Sequence, residues 1–345
     1  RNKSDVPGLV TWAKNWGTDG IIAQIENEDV LSELCKLDRP IIAQDVNERF
    51  AGIPNITGLY RETGIMAAEY LLEKGFKEFA FYGFDNIVWS RERCDGFCER
   101  ISQASYKVHI YEQPKEDTPP LWSYKESQLS QWLTSLPKPV AIMCCDDNQG
   151  QHVTEVCNAI GINVPEQVAV MGVDNDLSIC NLSDPPLSSI SLNTEKAGFE
   201  AAQLLSKMMQ DKYAAWENIY AEPISVIPRR STDFLAVEDA EVKKALQFVQ
   251  QRFKDEINVD DVVKATFLSR RVLEKRFQLG LKRTILDEIN SQRVEYAKQL
   301  LIETDLPVSE IAFLCGRTDA KNFSRYFSNR EHITPHEFRK MKRRN

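Results

Sequence analysis

The chain is expected to fold as an α/β body built on parallel sheet, followed by an all-α domain with two helix-turn-helix units. Three observations carry this reading. Short apolar strands alternate with amphipathic helical segments as far as about residue 174. One ten-residue pattern then occurs twice between Leu268 and Arg339. Charge is also unevenly divided. Residues 237–345 hold 22 Lys and Arg against 17 Asp and Glu, whereas residues 1–236 hold 21 against 34. An acidic body with a basic tail implies that only the tail meets a polyanion. A length of 345 residues at 42% hydrophobic content suits two or three domains.

In order, DGIIAQI (19–25) predicts a strand, NEDVLSELCKL a helix and PIIAQD (40–45) a strand. ETGIMAAEYLLEKG (62–75) predicts a helix ending at Gly75. FAFYGF (79–84) is a strand, and a helix runs on through RERCDGFCERI. KVHIYE (107–112), VAIMCCD (140–146) and VAVMGVD (168–174) are strands; SQLSQWLTSL (127–136) and GQHVTEVCNAIG (150–161) are helices. The Pro- and acid-rich stretch 113–120 reads as a surface loop. Residues 190–210 read as strand plus helix returning to close the fold, and PISVIPRRST (223–232) as the last strand. LAVEDAEVKK (235–244) is an acidic junction, and ALQFVQQRF (245–253) is the first helix of the tail, packing Leu246, Val249 and Phe253 inward.

In the tail, LSRRVLEKRF places Ser269, Leu273 and Phe277 four residues apart, and TDAKNFSRYF repeats the spacing with Asp319, Phe323 and Phe327. Ser or Asp opens each segment as an N-cap, and the apolar pair lies on one helical face. The opposite faces are polar and basic: Arg271, Glu274, Lys275 and Gln278, then Lys321, Ser324, Arg325 and Ser328. A short amphipathic run precedes each copy, Val259 to Ala265 and Val308 to Leu314, which completes a helix-turn-helix. Residues 284–304 form one long helix between the units, opened by Thr284 and Asp287 in a capping-box variant. A plain helical domain with solvated charged faces is the competing reading.

Ligands of open α/β folds bind beyond the carboxyl ends of the strands. The polar residues there are Asp45, the segment Asp85 to Arg93 with Trp89, Asp146-Asp147-Asn148 and Asp174-Asn175-Asp176. Carboxylates and amides match vicinal hydroxyls, and an indole face packs on the C–H face of a sugar. Taken singly, each is more often a turn residue or a helix cap.

The last hundred residues resemble the DNA-binding domain of the AraC/XylS family. The match rests on Leu268-Ser269, Leu273, Phe277, Arg293, Ala297, Leu301, EIAFLCG (310–316), Phe323-Ser324-Arg325, Phe327, Thr334-Pro335 and Phe338-Arg339. It departs at Lys282 and His332, where the family has Gly, and at Arg317, where it prefers an aromatic. Residues 1–235 resemble the LacI/GalR effector domain, related to periplasmic sugar-binding proteins, through EYLLEKGFKEFAFYGF, Arg93 with Gly96-Phe97, Asp146-Asp147, VPEQVAVMGVDN (164–175) and RRSTDF (229–234). Leu59 stands where that group commonly has Asp, and the group's first strand, first helix and second strand are not seen, so the sensor reads as incomplete at its N-terminus.

The resemblances imply a periplasmic-binding-protein-like sensor of two lobes over 1–234, a junction over 235–244 and a DNA-binding domain over 245–345, with the first lobe running to about 110. They imply a sugar-responsive regulator of transcription, an activator of pentose (D-xylose-like) catabolism genes. Arg93, Asp174 and Asn175 are expected to hold the sugar, with Asp147 on the pocket side and Trp89 beside them. Arg271, Glu274 and Lys275 are expected to read bases in one major groove, and Lys321, Asn322, Ser324 and Arg325 to face the next. Arg270 and Arg276, with KMKRR (340–344), are expected on phosphate. Glu274 would accept from a cytosine amine. Expected partners are double-stranded DNA, a sugar effector, a second copy as homodimer, and RNA polymerase; no membrane and no cofactor are expected. Another monosaccharide, a sugar acid, or a sugar-binding protein whose tail binds protein are the alternatives.

Enzyme chemistry has no foothold in the motifs. G-x-G-x-x-G, G-x-x-x-x-G-K-[ST] and G-x-S-x-G do not occur. His332 and His336 are four apart, but Thr334-Pro335 opens a new helix between them and no Cys or carboxylate pair accompanies them, so no metal site is expected. The eight cysteines lack metal spacing and read as reduced thiols of a cytoplasmic protein. No apolar run has membrane-spanning length and no signal peptide is evident.

Overall fold

A computed structural model describes residues 6–113, 128–211, 213–233, 239–281, 283–316, 319–331 and 333–343. The Pro-rich stretch 114–120 and the departures at Lys282, Arg317 and His332 lie outside the described residues. The chain divides into two compact units, residues 1–68 with 78–232, and residues 69–77 with 233–345. No helix among the described residues is long and apolar enough to cross a membrane.

The first unit holds two sheets. One has four parallel strands in the order β1 (Ile21–Gln24), β2 (Ile41–Gln44), β3 (Asn55–Gly58) and β9 (Ile219–Ala221). On one face Val10 of α1 (Val6–Trp16) and Leu31 and Leu34 of α2 (Glu28–Cys35) bury Ile41 and Ala43. On the other, Ala197 and Ala201 of α8 (Thr194–Gln210) cover Ile42 and Ile219. Alternate residues of β2 therefore face opposite layers, as the two-residue period of a strand requires.

The second sheet runs β10 (Pro223–Ile227), β8 (Ser188–Leu192), β7 (Val168–Asp174), β6 (Val140–Cys144), β4 (Glu78–Phe84) and β5 (Val108–Gln113). Only β10 is antiparallel to its neighbour. Strands β6 and β7 are buried almost throughout, which explains their unbroken apolar runs: helices cover both faces of a parallel sheet. Leu129 and Leu133 of α5 (Gln128–Ser135) and Val153 and Val156 of α6 (Asp147–Ile160) pack one face. Phe97 of α4 (Val88–Gln103) packs edge-on to Phe79 on the other.

This arrangement corrects the expected extent of the first lobe. After β3 the chain leaves its sheet until β9, and β4, α4 and β5 already belong to the second lobe. The chain crosses between lobes three times: through α3 (Tyr60–Glu73) into β4, from β8 into α8, and from β9 into β10. Five elements went unrecognised in the sequence: α1, β3, α7 (Leu177–Leu182), β9 and a 3-10 turn at Arg230–Thr232, where the expected last strand, 223–232, has already ended at Ile227.

The second unit is helical: α9 (Ala240–Arg252), α10 (Val259–Lys264), α11 (Arg270–Leu281), α12 (Ile285–Glu303), α13 (Val308–Leu314), α14 (Ala320–Glu331) and α15 (Pro335–Arg343). Helix α9 begins five residues before the expected start, because the Asp239 side chain accepts from the N–H groups of Glu241 and Val242 and caps it. Two cores share α12. Ile285 and Ile289 join Leu246, Val249, Leu273 and Phe277, while Val294, Ala297 and Leu301 join Ile311, Phe323 and Phe327. The Thr284–Asp287 capping box is present. Buried Arg293 ties the halves: Nε donates to Phe253 O at 2.9 Å and Nη2 to Asp255 O at 2.7 Å. Gly316 approaches the same loop with φ +70°, and a Cβ there would lie 2.4 Å from Asp255 O.

Candidate functional sites

The carboxyl ends of both sheets carry one polar constellation. Asp45, directly after β2, is buried and accepts from Thr57 Oγ1 at 2.5 Å and from the Tyr60 hydroxyl at 2.7 Å. Burial raises its pKa against the pull of those two bonds and of Arg49. Two guanidiniums stack over the Tyr60 ring, Arg49 at 5.7 Å and Arg93 at 5.4 Å from its centroid. Arg93 also lies over the Trp89 ring, 5.3 Å from its centroid. It is only 3% exposed; Nη1 donates to the Cys145 carbonyl and Nη2 to Asp174 Oδ1 at 3.3 Å. Its Nε is buried without a hydrogen-bond partner among the described residues.

The end of β7 is backbone in an unusual state. Asp174 and Asn175 have φ of 104° and 54°. Such residues persist only where their surroundings hold them. Here Asp147 does so. Its side chain is 1% exposed; Oδ1 accepts from Ser189 Oγ at 2.6 Å and Oδ2 from the Asp176 N–H at 2.7 Å. Burial pushes its pKa up to about 6, against those hydrogen bonds. Asp147 thus lies behind the Asp174–Asp176 turn, not at its surface. Gly172 leaves the room it needs, since a Cβ there would meet Asp147 Oδ1 at 2.2 Å. The Asn175 N–H donates to Ser189 Oγ at 3.0 Å, and its Oδ1 accepts from Arg229 Nη2 at 2.7 Å.

The structure therefore brings Arg93, Trp89 and Asp174 together, with Asn175 in the adjoining turn and Asp147 supporting it. Trp89 has one face on the Arg93 guanidinium and stands edge-on to Phe84, with centroids 6.1 Å apart. Sequence reasoning missed Tyr60, Arg49, Ser189 and Arg229. Tyr60 follows β3, and an unrecognised strand gives no carboxyl end to search. Arg229 sits in RRSTDF, which had carried the resemblance but no role.

The helical unit presents a second constellation. Leu273 and Phe277 of α11, and Phe323 and Phe327 of α14, are buried as the repeat requires. Arg271, Lys275, Lys321 and Arg325 stand exposed with no ion pair among the described residues, and Ser324 is half-buried. Arg270 is engaged: Nη1 meets Asp260 and Nε meets Glu274, each at 3.0 Å. Glu274 thereby has an intramolecular partner. Arg276 meets Asp239 at 3.1 Å, and Asn322 Nδ2 donates to the cap residue Asp319 at 2.6 Å. KMKRR falls largely beyond the described side chains.

A two-lobed α/β domain with a polar site at its strand ends, joined to paired helix-turn-helix units, defines a DNA-binding transcription regulator. A periplasmic binding protein-like domain model matches residues 68–232, and a helix-turn-helix domain model matches residues 262–341. The chain is 31% identical over 344 residues to the xylose operon regulatory protein of Escherichia coli K12, covering 98% of this chain and 88% of that protein. It is 32% identical over 328 residues to that of Haemophilus influenzae, covering 93% and 84%. The solved structure of the xylose-binding transcription activator XylR superposes with a TM-score of 0.57 at 27% identity, covering 99% of this chain and 96% of that one. The chain belongs to the family of the xylose operon regulatory proteins.

Proposed function

We propose that the protein is a sugar-responsive activator whose effector is a monosaccharide, D-xylose first. The observation that carries the effector site is Arg93: a buried guanidinium at the meeting of the strand ends, with an Nε that has no hydrogen-bond partner among the described residues. A buried donor of this kind costs about 1–3 kcal/mol unless an acceptor meets it, and a sugar hydroxyl is such an acceptor. Asp174 and Asn175 supply further polar atoms, and Trp89 an apolar edge. Asp147 acts by holding the turn. The names of the relatives support xylose as the first sugar to try.

The sugar binds the closed form of the two lobes better than the open form, and shifts their equilibrium by that difference alone. The signal passes from the sensor, residues 1–234, through the 235–244 junction to the DNA-binding domain, 245–345. The protein acts in the cytoplasm as a homodimer and recruits RNA polymerase. In each copy α11 and α14 enter successive major grooves. Arg271, Lys275, Lys321 and Arg325 are the side chains available to bases and phosphates.

Thermal unfolding against a panel of monosaccharides tests the effector. A ligand at about a hundred times its Kd adds about 2.7 kcal/mol, a rise of a few degrees in Tm. A rise with xylose alone identifies the effector. A rise with another sugar keeps the architecture and changes the effector, with Leu59 the first position to examine. No rise with any sugar removes the sugar-sensing reading.

A further inference from the structure

Three residues of one lobe grip one helix of the other. The loop after β2 belongs to the four-stranded lobe; α4 belongs to the six-stranded lobe. The first N–H groups of a helix have no partner within it. The N-cap of α4, Ile87, supplies no side-chain bond, and the Val88 N–H is instead taken at 2.8 Å by the carbonyl of Val46 from the opposite lobe. One residue on, Asn47 O accepts from Arg91 Nη2 at 3.2 Å. Two residues further, Arg49 meets Glu92 with both terminal nitrogens, at 2.6 and 2.7 Å. A bidentate guanidinium–carboxylate pair is directional as well as attractive.

Arg49 is also rooted in the candidate effector site. Its Nε donates to Thr57 Oγ1 at 2.8 Å and lies 3.5 Å from Asp45 Oδ2. Its guanidinium stacks over the Tyr60 ring, as that of Arg93 does. Glu92 is next to Arg93 in the chain. The pair therefore joins a side chain in contact with the site to the chain neighbour of Arg93 on the other lobe.

We infer that the 46–49 loop and α4 form a clasp across the cleft, and that the Arg49–Glu92 pair sets how much of the sensor is closed before any effector binds. The inference rests on the proposed effector reading and adds its regulation. An effector that binds only the closed form has an apparent Kd equal to its intrinsic Kd divided by the closed fraction. Breaking the clasp lowers that fraction. The pair is about one-third exposed, with side-chain exposures of 35% and 33%, so its effect is that of a partly screened ion pair.

The test uses the full-length protein and Glu92→Gln, which keeps the side chain's size and removes its charge, with Glu92→Asp as a second variant that keeps the charge but not the reach. Small-angle scattering without sugar is read first. Both variants are expected to show a larger radius of gyration than wild type at low salt, and wild type is expected to approach them at high salt. Calorimetry with the sugar that stabilises wild type is read second. Affinity is expected to fall about two- to fivefold in both variants, and Arg49→Met combined with Glu92→Gln to lose no more than the worse single variant. Unchanged scattering and unchanged affinity in folded variants overturn the clasp, as does an additive double variant. If no sugar binds wild type, the effector reading has failed, and the sugar-free scattering still decides the clasp.

Discussion

Arg93 and Asp174 face each other at 3.3 Å, joining α4 to the end of β7 through one buried guanidinium. The same guanidinium bonds the carbonyl that follows β6. A single side chain thus holds two strand ends and one helix in register, and its remaining donor faces inward.

Arg93→Lys keeps the charge and loses the planar fork. Effector binding is expected to weaken by about 2–3 kcal/mol, roughly 30- to 150-fold, by calorimetry. Wild-type affinity in this variant places the effector elsewhere.

Asp147 gives a pH signature. Its folded value, about 6, lies above the ordinary 3.8, so the folded protein holds a proton that the unfolded chain has released. Stability from this group is therefore greatest below about pH 4 and declines as pH rises to about 6, by about 3 kcal/mol for a shift of two units. Asp147→Asn should flatten that part of the Tm–pH curve relative to wild type. Parallel curves would show that the carboxyl titrates normally.

On DNA, Arg271→Ala and Arg325→Ala should each cost about 1–3 kcal/mol and relax preference at one base position, in different grooves. Lys275→Ala separates base from phosphate contact. A uniform loss with a salt slope shallower by about one assigns it to phosphate. Electrophoretic mobility shifts across single-base operator variants decide each case.

Glu274 is held by Arg270, so Glu274→Ala should remove a negative charge, leave Arg270 with Asp260 alone, and strengthen binding to every sequence alike. A change confined to one base position would instead return the carboxylate to reading a cytosine amine, the role its position alone implied.

Gly316→Ala forces a side chain into left-handed backbone against the Asp255 carbonyl. A loss of about 2–3 kcal/mol in chemical denaturation is expected.

The buried strands β4, β6 and β7 were readable because each is a run of apolar residues with a polar end, and the helix-turn-helix repeat because Leu273, Phe277, Phe323 and Phe327 keep one spacing. β3 is four residues, NITG, with only one large apolar side chain, and it pairs with β9, whose Ile219 lies opposite Ile56. No local pattern announces a partner so distant in the chain. The same blindness put β4 in the wrong lobe, since alternation of strands and helices does not say which sheet a strand joins. In the site, Arg93 and Asp174 were found at strand ends. Tyr60 was not, because the strand it follows went unrecognised, and Arg49 was not, because its pairing with Glu92 comes from the other lobe. Asn322 looked available on its helix face, but its amide is turned back on the cap.

Helix α12 carries the last residues of one core and the first of the next, so its length acts as a ruler for the operator. One residue added to it would advance the second recognition helix by about 1.5 Å and rotate it by about 100°. That would point one set of side chains away from the groove while both cores stayed filled. On the proposed mode of binding, the spacing and helical phase of the two half-contacts on DNA are then written in this protein as a count of residues between Ile289 and Val294.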